Sequence, residues 1–227
     1  MCIRDSSWAG AVQRWTATTN GPYSDDPYYL RLAKAKDPDV PTKYAIGDSG
    51  PSDADQRRVV DPSFLELVRL GVKRPDDPVI VNTLRVVDSR LKAGDFWHRY
   101  DFDGYGERRD GGSWRLFDDD TRRTLGRAWP IFAGERGEYE LLAGRPASSL
   151  LQDMAQTANG GGMLPEQVWD GRAPTGKTGF KQGEGTFSAT PLAWTHAQLV
   201  RLAWAAEAGV VAERPQVVAD RYLNRAP

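Results

Sequence analysis

The strongest constraint in this sequence is how its helices are punctuated. Asp61-Pro62, Asp77-Pro78 and Thr190-Pro191 each stand just before a run of apolar residues at helical spacing. A side-chain oxygen there can accept from the free N–H groups of a first helical turn. Proline at the first helical position gives up no hydrogen bond. The run 63–70 carries Phe64, Leu67 and Val68 on one face and stops at Gly71. After Pro78, Ile80, Leu84, Val87 and Leu91 follow at the same spacing, and the run 192–208 ends at Gly209. Further helices are predicted over 127–143, 146–158 and 216–223.

Between these runs lie four stretches rich in Gly, Asp, Pro and aromatics: 16–27, 36–57, 93–121 and 160–188. Short extended pieces are expected within 28–33 and 96–100. Loops this long without regular structure are uncommon in compact domains and usually carry function. Helices joined alternately by short and long connections suit an all-α helical toroid, with short links closing one end and long loops building a site at the other.

Composition enters through the aromatics, 8 Trp, 8 Tyr and 7 Phe in 227 residues. Trp97, Tyr100, Tyr105, Trp114, Trp129 and Trp169 stand among turn residues rather than in apolar runs. Such rings can line a cleft and pack on the C–H face of a sugar, or they can cap loops over a core. A net charge of -1 offers no bulk field for nucleic acid or an anionic membrane. No apolar run approaches the roughly 20 residues of a membrane-spanning helix. The first six residues, MCIRDS, back-translate to a transposon end used to tag DNA for sequencing. They are expected to be an artefact, leaving 7–227 as the native portion of a longer catalytic domain and Cys2 without meaning for redox chemistry.

One motif is a decoy. Residues 171–178, GRAPTGKT, match the phosphate-binding loop pattern. That loop works only between a buried strand and a helix. Here Pro165, Glu166, Gln167 and Asp170 precede it, and the run 179–185 is too glycine-rich to open a helix. Nucleotide binding is therefore not expected. His98 and His196 are the only histidines and are far apart, so no tetrahedral metal set can be assembled. No G-x-S-x-G nucleophile elbow occurs.

Two loop segments read as a sugar site. Residues 95–107, DFWHRYDFDGYGE, alternate rings with Arg99, Asp101, Asp103 and Glu107, the mixture of planes and hydroxyl partners that a sugar needs; a solvated turn cluster is the other reading. Residues 160–170, GGGMLPEQVWD, lead through glycines and Leu-Pro to Glu166, flanked by Gln167 and, two residues later, Trp169. Glycosidases need two carboxyl groups. In inverting enzymes one is an acid for the leaving oxygen and the other a base for water, about 6.5–9.5 Å away. Glu166 is a candidate base, with Gln167 able to orient it.

Together these segments resemble glycoside hydrolase family fifteen, the glucoamylase and glucodextranase family, in its prokaryotic form. The resemblance covers residues 8–222. It is carried by WTATTNGPYSDDPYYLR (15–31), VVDPSFLELVRLGVK (59–73), RYDFDGYGE (99–107), GRAWPIFAGERGEYELLAG (126–144), LPEQVWDG (164–171) and SATPLAWTHAQLVRL (188–202). It implies a partial (α/α)6 toroid, about the C-terminal half of six helical hairpins, with the active site at one end. It implies an enzyme that releases glucose from non-reducing ends of α-glucans with inversion, without metal or organic cofactor. Glu166 takes the general base's role, and Arg99, Tyr100, Trp129, Gln167, Trp169 and Trp194 the substrate-binding roles. The family's general acid belongs to a segment upstream of Trp8, so this chain alone is expected to be inactive. A related toroid acting on trehalose or dextran, or a non-catalytic carbohydrate-binding toroid, is the alternative.

Overall fold

The computed structural model describes residues 3–108, 124–172 and 179–223. Among them, helices α1 (Ile3–Thr16), α2 (Leu65–Arg69), α3 (Pro78–Leu91), α4 (Ile131–Leu142), α5 (Ser148–Gln156), α6 (Ala193–Ala208) and α7 (Gln216–Tyr222) carry the architecture. Three two-residue antiparallel ribbons pin the loops: β1 (Ala17–Thr18) with β2 (Tyr28–Tyr29), β3 (Lys43–Tyr44) with β4 (Ala54–Asp55), and β5 (Lys92–Ala93) with β6 (Phe96–Trp97). The fold is helix-rich. The extended pieces expected within 28–33 and 96–100 shrink to β2 and β6, and the β3–β4 ribbon falls inside a stretch read as loop. The helix α1 was also unforeseen, because its first residues were set aside.

The punctuation works as its chemistry requires at two of the three sites. Asp77 Oδ1 accepts from Val79 N at 2.9 Å and Ile80 N at 3.3 Å, and α3 runs to Leu91 with Ile80, Leu84, Val87 and Leu91 buried. Asp61 Oδ1 accepts from Ser63 N at 3.1 Å, but the first turn, Pro62–Phe64, is a 3₁₀ helix. The α-helix there is only α2. Gly71 ends it at φ +77, where a β-carbon would also stand 2.9 Å from Ala219 of α7. Thr190 does not cap α6. Leu192 is the N-cap, without a side-chain bond, and its N–H donates to Leu164 O at 2.9 Å. The helix predicted from residue 127 starts at Ile131, because Ala128 and Trp129 are taken into β-bridges with Val168 and Trp97. Tertiary pairing overrides the local pattern.

One apolar core joins α2, α3, α4 and α6 to the loops. It includes Val68, Ile80, Val87, Leu91, Ala133, Met154 and Leu202. Helix α4 packs against α6, α5 and α2. Two glycines let α4 and α6 approach: a β-carbon on Gly134 would lie 2.3 Å from Gln198 Cγ and 2.9 Å from Met154 Sδ, and one on Gly137 would lie 2.6 Å from Leu202 Cδ2. Gly134→Val is therefore expected to destabilise the chain by on the order of 3 kcal/mol in urea unfolding. An unchanged midpoint would show that the two helices do not meet there.

Beside this contact, Glu135 of α4 lies near Glu66 of α2 and Glu138, with Arg69 and Arg201 in attendance. Burial, reinforced by the two neighbouring carboxylates, pushes the Glu135 carboxyl up to about 8 from its ordinary 4.5. The folded state thus holds a proton that the unfolded state releases, and stability falls as pH rises through that window. Glu135→Gln should leave stability at pH 4 nearly unchanged and raise it at pH 9 by on the order of 2 kcal/mol, discounted for solvent. Equal unfolding midpoints for the two proteins at pH 9 would contradict this.

Candidate active site

The segment 164–170 is fastened along its length. Leu164 N donates to His196 Nε2 at 2.9 Å, Glu166 N to Ala189 O at 2.8 Å, and Val168 N to Ala128 O at 2.9 Å. Trp169 N donates to Glu184 O at 2.8 Å and Thr195 Oγ1 to Pro165 O at 3.0 Å. Val168 is bridged by Ala128 on one side and Gly185 on the other.

Gln167 is fully buried and serves as a strut. Its Oε1 accepts from Arg127 N at 2.8 Å and its Nε2 donates to Tyr105 O at 2.9 Å. The side chain thus ties the 164–170 segment to the loop carrying Arg99. It also lies within hydrogen-bonding reach of the Glu166 carboxyl and favours its charged form.

Arg99, on that second loop, is close enough to Glu166 to favour its charged form. Its guanidinium forks onto Asp103, with Nε to Oδ2 and Nη2 to Oδ1 both at 2.7 Å, and Nη2 also donates to Tyr100 Oη at 3.2 Å. Asp48 is 3.6 Å away. Three rings surround it, with centroids 4.5 Å (Tyr105), 5.0 Å (Tyr100) and 5.2 Å (Trp129) from Cζ. The Trp129 ring also packs on Tyr105 at 6.3 Å and Phe132 at 6.4 Å. Gly104 permits the approach of the Asp48 loop, since a β-carbon there would lie 1.7 Å from Asp48 O. Asp48 carried no signal in the sequence, because it reaches the site only through this loop contact.

Glu166 is 6% exposed. Burial raises its carboxyl above the usual carboxylate range; a backbone donor from Ala189, the Arg99 cation and Gln167 oppose the rise, and Asp103 adds to it. A desolvated carboxylate near an arginine and aromatic planes can take a proton from a water while flat, hydroxyl-bearing molecules pack on the rings.

Of the remaining predicted residues, Tyr100 stays beside Arg99, and Trp169 and Trp194 pack elsewhere. Tyr100 is buried with Ile46, Ala54 and Val59, and Arg31 Cζ stands 3.5 Å from its ring centroid. Trp169 is buried, with Arg127 Cζ 3.9 Å from its ring and Phe180 at 5.8 Å. Trp194, in the first turn of α6, is 66% exposed. Of the carboxylates read as hydroxyl partners, three are internal anchors. Asp101 accepts from Val60 N and Arg90, Asp103 from Arg99 and Tyr105 N, and Glu107 from Arg127. Trp114 and Lys177 lie outside the described residues.

A buried ionic network lies behind the site. Arg127 donates to Glu107, to Asp170 Oδ1 at 2.8 Å and to Arg172 O at 2.9 Å, while His98 Nε2 pairs with Asp170 Oδ2 at 2.7 Å. Among the described residues, no group of three or more His, Cys, Asp or Glu is placed to hold a metal ion, and no helix is long and apolar enough to cross a membrane.

The model of glycosyl hydrolases family 15 matches residues 5–204. The chain is 42% identical over 223 residues to a glucoamylase of Clostridium sp. (strain G0005), covering 96% of this chain and 29% of that protein. It superposes on a crystal structure of a bacterial glucoamylase complexed with acarbose at TM-score 0.85 and 40% identity, covering 96% of this chain and 30% of the other. The chain therefore spans about 30% of the length of these relatives. On the family match, with Glu166 and Arg99 both inside it, the chain belongs to glycosyl hydrolases family 15.

Proposed function

We propose that this chain carries the general base, Glu166, of an enzyme that releases glucose from non-reducing ends of α-glucans with inversion. The observation behind this is a nearly buried glutamate with a raised carboxyl pKa, near an arginine enclosed by Tyr100, Tyr105 and Trp129. In the inverting reaction, Glu166 accepts a proton from water as the water attacks the anomeric carbon. A carboxylic acid on the other face protonates the departing oxygen. The raised pKa makes the carboxylate a stronger base. Arg99 and the rings hold the terminal sugar, by hydroxyl contacts and by packing on its C–H face. The acarbose bound by the solved relative supports a glucan-like occupant.

The acid is supplied by another segment of a toroid of the relatives' length. The exposed apolar residues Trp194, Val200 and Trp204 of α6 support such neighbours, since a helix face of this kind is normally covered. The chain then contributes part of an (α/α)6 toroid, with the segments 93–108, 124–130, 157–172 and 179–192 at the end that holds the site.

The test places the chain in the Clostridium sp. glucoamylase in exchange for the segment it matches, and offers the hybrid maltotriose, dextran and trehalose. Glucose release from maltotriose supports the proposal. Preference for dextran or trehalose, or binding without turnover, would replace it with one of the other readings of the same loops.

A further inference from the structure

We infer that Arg127 is a positioning residue that sets the place of Glu166 relative to Arg99, without itself touching the substrate. The inference rests on the reading of Glu166 as the base, and it names the device that holds that base in register.

Arginine is almost never fully buried unless paired. Arg127 is 0% exposed, and its partners explain why it is tolerated. Nε donates to Glu107 Oε1, and Nη1 to Asp170 Oδ1 at 2.8 Å and Arg172 O at 2.9 Å. The plane lies over Trp169 at 3.9 Å. These partners come from the two walls of the site. Asp170 and Trp169 end the segment that bears Glu166. Glu107 ends the loop that bears Arg99 and Tyr105. One planar fork therefore fixes both walls from behind.

The backbone of Arg127 completes the fixture. Its N–H donates to Gln167 Oε1 at 2.8 Å, and Gln167 Nε2 donates to Tyr105 O at 2.9 Å. The Tyr105 ring in turn lies 4.5 Å from the Arg99 guanidinium. Gly106 leaves no slack: a β-carbon there would stand 2.3 Å from Leu125 O and 3.0 Å from Gln167 Oε1. Three residues that follow Glu166 along the chain are thus held by the same arginine, Gln167 by its backbone and Trp169 and Asp170 by its side chain.

Lysine in place of Arg127 keeps the charge but presents a point ammonium rather than a planar fork, and cannot serve Glu107, Asp170 and the Arg172 carbonyl in the same geometry. The experiment uses the whole chain with 13C-carboxyl glutamate. The Glu166 resonance is assigned by its loss in Glu166→Gln. In the parent chain it should titrate above the ordinary glutamate value of about 4.3. In Arg127→Lys it should fall to about that value, as the loosened segment admits water, and amide exchange at residues 166–169 should quicken by at least about tenfold while α3 is unchanged. A purely stabilising role would quicken exchange throughout and leave the native Glu166 titration where it was; that result would overturn the inference. If Arg127→Lys does not fold, Glu107→Gln, which frees only the Tyr105 wall, is read in the same way. These signals report position and not turnover, so they stand or fall separately from the role of Glu166 in hydrolysis.

Discussion

In the hybrid glucoamylase, Glu166→Gln lowers kcat by about 10²–10⁴-fold while KM stays within about threefold. Glutamine fills the same space and keeps a hydrogen-bonding oxygen, but it cannot take a proton from water at neutral pH. Glu166 gains strength as a base from its own surroundings, since burial disfavours its charged form more than Arg99, the Ala189 donor and Gln167 favour it. The loss therefore falls on the chemical step, and ground-state binding to the rings around Arg99 is spared. Steady-state kinetics on maltotriose separate the two. A Glu166→Gln hybrid with kcat near that of the parent hybrid would remove Glu166 from the mechanism.

The second large effect lies one shell behind the site. Asp170→Asn should destabilise the chain by about 3–5 kcal/mol at pH 7, the usual cost of removing one member of a buried ionic set. The Asp170 side chain is wholly buried and accepts from His98 Nε2 at 2.7 Å, Arg172 Nε at 2.7 Å and Arg127 Nη1 at 2.8 Å. Burial alone would raise its carboxyl pKa. The His98 hydrogen bond and the Arg172 and Arg127 cations outweigh burial and hold it well below the usual carboxylate range. The sign of the pH dependence follows. A depressed folded pKa stabilises the protein above the unfolded value near 3.8, and that stabilisation is lost as pH falls through the folded value. Unfolding measured from pH 7 down to pH 2 should show a steep acid loss in the parent that is shallower in Asp170→Asn. Superimposable acid limbs would show that Asp170 is not the group that titrates.

What the sequence showed of the fold depended on how local the cause was. Asp77-Pro78 marks α3 because cap, proline and apolar face all act within a few residues. Thr190-Pro191 carries the same letters, yet α6 starts without a side-chain cap, since Leu192 N is drawn to Leu164 O from a distant part of the chain. The β3–β4 ribbon and the late start of α4 were invisible for the same reason.

The site followed a similar rule. Glu166 and Arg99 are legible as candidates because each stands in a compact motif of turn residues and rings. Gln167 stands next to Glu166 in the same motif, but its ties to Arg127 N and Tyr105 O, and the packing of Trp169 on Arg127, join distant segments that no local pattern connects. Arg127 passed unnoticed within GRAWP. Its partners, Glu107 and Asp170, stand 20 and 43 residues away in sequence, and no spacing rule joins them.

The most direct measurement of the central claim is the anomeric form of the first glucose released by the hybrid from maltotriose, followed by 1H NMR before mutarotation. A base at Glu166 that activates water opposite the leaving group predicts β-glucose first, with the α form appearing only as the solution equilibrates. Initial release of α-glucose would mean retention, which requires a covalent nucleophile or another site altogether, and would contradict the role assigned to Glu166.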